Sequence, residues 1–342
     1  MERSEFARQL LRFMTRHERF VISGHVRPDG DAVGACTALA LALKAMGKEA
    51  LLCFDGDPSR YTRILASVPA LPSGVEIRQA GDCFTTGHDF AFIMVDCSEP
   101  ERTGRAKDAI LYASSSLSVD HHVTGVEAAD FSYCEPHTSS ACQILYSLFK
   151  LAGIEISKEI ASALFVGLAY DTGGFRHNNV NAESMAMAAD LITAGADSSF
   201  LMNYLFYTHS FAEEKALAAA VEKAKLHSGG ILISGLSNAD FDKIGVSGKA
   251  ADGVVGKLTE IEEAKVVCFL RETEDGGVRV NMRSKCEVNV ARIASSYGGG
   301  GHVLAAGCTV YEPMMLVKQH LLEAIRRQMK EIGLESPSEG EA

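Results

Sequence analysis

The sequence predicts an α/β protein: a mostly parallel sheet with helices on both faces, then a helical connector and a smaller α+β domain. Three features predict it. Short apolar runs alternate with helical patterns through the first half. The run from Asp89 to Val95 is apolar almost without break, the pattern of a strand buried on both faces. A charged, strongly helical stretch at 210–226 then separates this half from a second strand-rich region. At roughly 100–200 residues per domain, 342 residues suit two domains.

Taken in order, residues 5–16 carry the spacing of an amphipathic helix, and Phe20 to Ser23 read as a short buried strand. Ala32 to Met46, rich in Ala and Leu, read as a helix stopped by Gly47. Strands follow at Ala50–Phe54, at 89–95 and at Leu117–Val119. Helical segments near 139–152, 157–169 and 182–194 are punctuated by Gly153, Gly173, Gly174 and Gly195. Beyond the connector, strands are expected at 230–235, 264–271 and 277–283, with helices near 289–296 and 315–331. The domains implied are 1–205, a connector at 206–227, a second domain at 228–333 and a polar tail at 334–342 expected to be disordered.

Composition narrows the function. Hydrophobic residues make up 47% and charged residues 23%, enough apolar material for two cores. The 33 Lys and Arg against 44 Asp and Glu leave a net charge of −11, which argues against a broad basic face for duplex DNA. A nucleotide substrate is still admissible, because bound divalent cations and a few Arg residues supply local positive charge. None of the nine Cys forms a Cys-x-x-Cys pair, so a zinc ribbon is unsupported, and scattered unpaired thiols suit a reducing cytoplasm. The N-terminal stretch is charged throughout, and no apolar run is long enough to span a bilayer. A cytoplasmic protein without membrane contact is expected, with a homodimer as one assembly.

Four segments of the first half place Asp or His at or just beyond the end of an apolar run, or of a helix. In an open α/β sheet that is where ligands bind. The first holds His25, Asp29 and Asp31, in a stretch kept irregular by Pro28 and Gly30. The second is Asp96, directly after Val95, and the third is Asp120, His121 and His122, after Val119. The fourth is Asp171, followed by Thr172, Gly173 and Gly174. A single Asp after a strand is more often a cap or turn residue, and Asp31 alone could simply cap the helix that follows. Four such segments in one domain point instead to a metal site. Oxygen and imidazole ligands without thiolate favour Mn²⁺ or Mg²⁺, with Co²⁺ or Fe²⁺ also compatible.

These four segments resemble the four motifs of the DHH phosphoesterase family. Gly298 to His302, continued by Ala306 and Gly307, resembles the glycine-rich motif of the DHH-associated C-terminal domain, and Arg283-Ser284 resembles its phosphate-binding segment. Size and domain pairing are similar to stand-alone oligoribonucleases that also remove the 3′ phosphate of 3′-phosphoadenosine 5′-phosphate. The resemblance implies two divalent cations. One would be held by His25, Asp29 and Asp96, the other by Asp31, Asp96, His121 and Asp171, with Asp96 bridging. Asp120 would orient a histidine and His122 would face the substrate. Such a pair of cations offsets the charge of a phosphate and clamps its attacking and leaving oxygens. The substrate-binding set implied is Arg283, Ser284, Asn289, Gly299, Gly300, Gly301 and His302, in a domain that meets the first across a cleft. The expected reaction is hydrolysis of very short RNA to nucleoside 5′-monophosphates. Hydrolysis of a cyclic or linear dinucleotide is the nearest alternative, and an inactive nucleotide sensor is the alternative of another class.

Weaker candidates are Arg102, Arg105, Arg176, His177 and Lys285, each also readable as ordinary surface. Asn289 is equally readable as a helix cap, and Met314-Met315 as helix packing. Ala35 and Cys97 stand where the family more often has hydroxyl residues.

Overall fold

A computed structural model describes residues 2–56, 64, 76–80, 89–122 and 128–334, apart from the His302 side chain. The expected tail beyond Leu334 lies outside the described residues. The chain divides into two compact units, Met1–Thr208 and His209–Ala342.

The first unit contains α1 (Arg3–Arg16), β1 (Arg19–Ser23), α2 (Gly30–Ala45), β2 (Glu49–Phe54), β3 (Glu76–Gln79) and β4 (Ala91–Val95). It continues with α3 (Ala109–Tyr112), β5 (Ser115–Asp120), β6 (Phe131–Cys134), α4 (Ala141–Ala152), α5 (Lys158–Asp171), α6 (Ala182–Thr193) and α7 (Ser198–Met202). The six strands lie in the order β3-β2-β1-β4-β5-β6, and every pairing is parallel. The direction of winding therefore reverses between β1 and β4, so a crevice opens at the carboxyl ends of those two strands. Both faces of the sheet are packed. Ile22, Leu52, Ile93 and Leu117 join the main core with α1, α2, α4 and α5. Val21, Leu51, Phe92 and Met94, one residue out of phase, meet Ala106 and Ala109 on the other face.

Helix α2 is buried from Gly30 through Leu43, which explains why its sequence shows Ala and Leu rather than an amphipathic stripe. It crosses α5 with almost no side chain between them. A Cβ on Gly34 would stand 2.5 Å from the Ala163 carbonyl oxygen, and a Cβ on Gly167 would stand 2.2 Å from Cys142 Sγ.

The second unit contains α8 (Phe211–Glu222), β7 (Lys225–His227), β8 (Ile231–Leu236), α9 (Asn238–Ile244), α10 (Val254–Thr259), β9 (Val266–Glu272) and β10 (Val278–Ser284), then α11 (Val290–Ser295), β11 (Gly300–His302), β12 (Ala305–Val310) and α12 (Met314–Glu331). Its mixed sheet runs β11-β12-β10-β9-β8-β7, with only β8–β9 parallel. One face packs on α11 and α12 through Val280, Met282, Ile293 and Leu321. The other packs on α8, α9 and α10 through Leu232, Phe269, Ala220 and Leu258. Helix α8, expected within a connector, thus lends Ala216 and Ala220 to this core, while residues 206–208 go with the first unit. Met314 packs on the core, but Met315 is exposed.

Among the described residues seven cysteines are free thiols, whereas Cys53 is disulfide-bonded, contrary to the expectation of unpaired cysteines throughout. Among the described residues no helix is long and apolar enough to cross a membrane.

Candidate active site

The four motif segments converge at the carboxyl ends of β1, β4 and β5. After β1 the chain runs irregularly to α2, and Asp29 caps that helix: its Oδ1 accepts from the amides of Asp31 and Ala32 at 3.0 and 3.2 Å. Asp31, weighed as the cap, lies instead in the first turn, fully buried. Its two oxygens accept from Ala141 N at 2.6 Å and Cys142 N at 3.0 Å, the N-terminal amides of α4. A carboxylate belongs there because a helix N-terminus presents free N–H groups and positive potential. Asp171 reaches the same place from the C-terminus of α5.

Asp96 follows β4 with φ of 60°, a left-handed conformation that costs energy for a residue with a Cβ. That turn places its carboxylate between two imidazoles. His25 Nε2 is 3.3 Å from Asp96 Oδ2, and His121 Nε2 is 3.2 Å from Asp96 Oδ1. His25 is also 3.7 Å from Asp29 Oδ2, and His121 is 3.3 Å from Asp171 Oδ2. The result is two groups, His25–Asp29–Asp96 and Asp31–His121–Asp171, whose donor atoms lie within 4.8 Å of one another and which Asp96 joins. All six residues expected to ligate a metal are in these two groups.

The electrostatics show what the cluster lacks. Burial, then the charge of Asp96, pushes Asp31 up to about 7. Burial, then Asp31, Asp29 and Asp96, pushes Asp171 up to about 9. Burial opposes charge on His25 and His121, yet the surrounding carboxylates raise both to about 10. Burial would also raise Asp96, but His121 and His25 hold it well below the usual carboxylate range. Asp96 Oδ1 is buried and accepts no well-aligned hydrogen bond. An orphaned carboxylate oxygen amid crowded acids and imidazoles fits divalent cations, which satisfy the oxygen and offset the crowding.

Asp120 is built differently. Its Oδ1 accepts from His121 N at 2.8 Å, His122 N at 3.2 Å and His122 Nδ1 at 2.7 Å. It therefore fixes the ring of His122, the more accessible member of the pair, rather than that of His121. Burial opposes ionisation of Asp120, but the bonds from His122 hold it below the ordinary range.

Several supports surround the ligands: Asn179 and Asp55 were not legible as site residues, whereas His177, Arg102 and Arg105 were only weaker candidates. Asn179 Nδ2 donates to the Asp171 carbonyl at 3.2 Å, and His177 Nδ1 stands 3.0 Å from the same oxygen. Arg105 binds Asp55 through Nε and Nη2, while Arg27 N donates to Asp55 O and Val26 N to Arg102 O. Arg102 and Arg105 thus brace the first motif. The Ser140 cap before α4 was the visible signal for the amides that hold Asp31.

In the second unit Arg283 is half-buried, and among the described residues its side chain donates only to its neighbour's carbonyl, Met282 O, at 3.0 Å. Burial lowers its pKa. Ser284 points to the opposite face of β10 and bonds locally to Cys286. Asn289 caps α11, its Oδ1 accepting from Arg292 N at 3.0 Å. The Ser284 hydroxyl and the Asn289 amide oxygen are thus committed to local backbone. Gly299 and Gly301 are needed by the fold: a Cβ would stand 2.3 Å from Gly307 O or 2.5 Å from Ala305 O, respectively. Gly300 faces open space.

A doubly wound domain with carboxylates and imidazoles paired about one shared Asp at its switch point defines a metal-dependent hydrolase. The chain belongs to the DHH family: residues 19–168 match the DHH family, N-terminal domain, and residues 228–331 match the DHHA1 domain. It is 31% identical over 314 residues to the bifunctional oligoribonuclease and PAP phosphatase NrnA of Thermus thermophilus, covering 91% of this chain and 90% of that protein. It is 26% identical over 308 residues to the Bacillus subtilis protein of the same name, covering 89% and 93%. Its fold is similar to the crystal structure of an exopolyphosphatase-related protein from Bacteroides fragilis, with a TM-score of 0.85, 21% identity and coverage of 97% and 98%.

Proposed function

We propose that this phosphoesterase hydrolyses very short oligoribonucleotides to nucleoside 5′-monophosphates, with 3′-phosphoadenosine 5′-phosphate as a second substrate yielding AMP. The observation that carries the reading is the pair of ligand groups joined through Asp96. His25, Asp29 and Asp96 would hold one cation and Asp31, Asp96, His121 and Asp171 the other, with Mn²⁺ favoured by the oxygen and imidazole donors. When bound, the two cations supply Lewis acidity and charge neutralisation at the phosphate.

The chain's own residues do the rest. Asp120 accepts from His122 Nδ1, which leaves Nε2 free to give a proton to the leaving oxygen. The carboxylate stabilises the imidazolium that this requires. Arg283 is a desolvated guanidinium without a carboxylate partner among the described residues, suited to fork two oxygens of a substrate phosphate. Gly300 leaves backbone open to approach by the same substrate. Support for short substrates comes from the acidic net charge and from the relatives named as oligoribonucleases. The seven free thiols among the described residues support a reducing cytoplasm, and the Cys53 disulfide is the feature that counts against it.

The test is turnover by the full-length protein with Mn²⁺ on a diadenylate, a five-mer, a long RNA, 3′-phosphoadenosine 5′-phosphate and cyclic di-AMP, with Asp96→Ala as control. Fast release of AMP from the shortest linear RNAs supports the proposal. A dominant rate on the cyclic dinucleotide replaces it, and metal binding without any turnover replaces it with a sensor. Arg283→Ala should cost short substrates more than long ones; equal loss removes Arg283 from length selection.

A further inference from the structure

Strand β10 alternates strictly: Val278, Val280, Met282 and Ser284 are buried, while Arg279, Asn281 and Arg283 are half-buried on the other face. Across the ladder these three pair with Thr309, Gly307 and Ala305 of β12, a row of small residues. The absence of a side chain at 307 matters, since a Cβ there would stand 2.9 Å from Val280 O and 3.4 Å from Asn281 Oδ1. The small residues leave the two arginine stems and the amide room above the sheet. Arg271, paired with Arg279 on the neighbouring strand β9, is occupied by Gly248 O and Asp252. Arg279 is not so occupied. Among the described residues its hydrogen bond is a long one of 3.5 Å to Thr309 Oγ1, and it makes no ion pair. Two guanidinium groups without carboxylate partners among the described residues therefore share one face of one strand in a protein of net charge −11.

We propose that Arg279, Asn281 and Arg283 form an anion track for a single-stranded nucleotide chain, in which Arg279 takes a second backbone phosphate beyond the one held by Arg283. Four residues of strand place the two Cα atoms about 13 Å apart. The axial rise of a stacked strand is about 3.4 Å per nucleotide, but successive phosphates are also displaced around the helix and lie farther apart than that, so this separation spans fewer than about four nucleotides and more than one. The ligand class is a linear oligonucleotide of about three to five nucleotides. The phosphates of a single nucleotide are too close together to engage both arginines. Asn281, between them, offers an amide to the intervening nucleoside. The inference rests on the reading that the second unit grips nucleotide phosphates, and extends it from one contact to two.

The experiment is equilibrium binding of 5′-phosphorylated oligoadenylates of two and five nucleotides to full-length, metal-free protein, where no cleavage confuses the readout. Arg279→Gln and Arg279→Lys are compared with the unaltered chain, with thermal melts to show that each variant folds. Arg279→Gln is expected to weaken the five-mer about tenfold and the dimer far less, and to flatten the salt dependence of five-mer binding by about 0.7 in slope. Arg279→Lys should recover most of the salt slope, because the charge remains. Equal weakening at both lengths, or none, overturns the proposal. Turnover on the same oligonucleotides with Mn²⁺ is scored separately. Arg279-dependent binding without turnover removes the hydrolase reading and leaves the track, whereas turnover with length-independent binding removes the track and leaves the hydrolase.

Discussion

The approach of α2 to α5 at Gly34 couples the packing of the first unit directly to its chemistry. Gly34 lies one turn into α2, whose start carries Asp31, and it faces Ala163 and Gly167 on α5, whose end carries Asp171. A methyl group at position 34 would stand 2.5 Å from the Ala163 carbonyl and 3.0 Å from Gly167 N. Both contacts are backbone, so no rotamer relieves them. The helices must part by about 0.8 Å to restore an ordinary contact. Overpacking of this kind costs about 1–3 kcal/mol, offset by about 1 kcal/mol of helix propensity gained on replacing Gly with Ala. Gly34→Ala should therefore destabilise by up to about 2 kcal/mol, a fall in Tm of up to about 8 °C for a unit of this size. The separation falls on Asp31 and Asp171, which share His121, so divalent-cation affinity should fall too. Calorimetric melting and metal titration check both. Gly256→Ala is the contrast, because its methyl group meets nothing within 4 Å on the short helix α10. The reasoning is refuted if Gly34→Ala melts at or above the unaltered protein and binds metal as well.

Two further outcomes follow from the charge cluster. Asp120→Asn should leave metal binding nearly intact yet lower kcat by about 10²- to 10⁴-fold, the range of a lost general acid, because the amide no longer stabilises the His122 imidazolium; unchanged kcat with an unchanged pH profile would remove His122 from proton transfer. Folded Asp31, Asp171, His25 and His121 all hold protons more tightly than the unfolded chain does, at about 7, 9, 10 and 10 respectively. The stability this gives the metal-free protein is complete below the unfolded values and declines as pH rises through those of the folded state. Metal-free protein should therefore lose Tm as pH rises from about 4 to about 10, most steeply near pH 7 where all four groups contribute, and Mn²⁺ should restore it while releasing protons. Titration calorimetry in buffers of different ionisation enthalpy measures that release, and its absence would mean the cluster does not bind cations through these groups.

The sequence by itself determined the parallel sheet, because strands buried on both faces leave continuous apolar runs such as Phe90–Val95, and it determined the acids and imidazoles, because each stands where such a run or helix ends. It could not show which face a residue takes when local geometry competes. Asn289 and Ser284 belong to the same sequence segment as Arg283, yet they serve a helix cap and a local turn. The strands β3, β6, β7, β11 and β12 escaped notice, since their ends are set by neighbouring strands rather than by their own patterns. Arg279 was passed over for the same reason, as its place beside Arg283 depends on β10 register and on the small residues opposite. Only tertiary structure turned separate carboxylates into one centre. Asp96 in a left-handed turn, Asp31 on the amides of a helix beginning 110 residues later, and two helices crossing at glycine are long-range facts that local sequence does not encode.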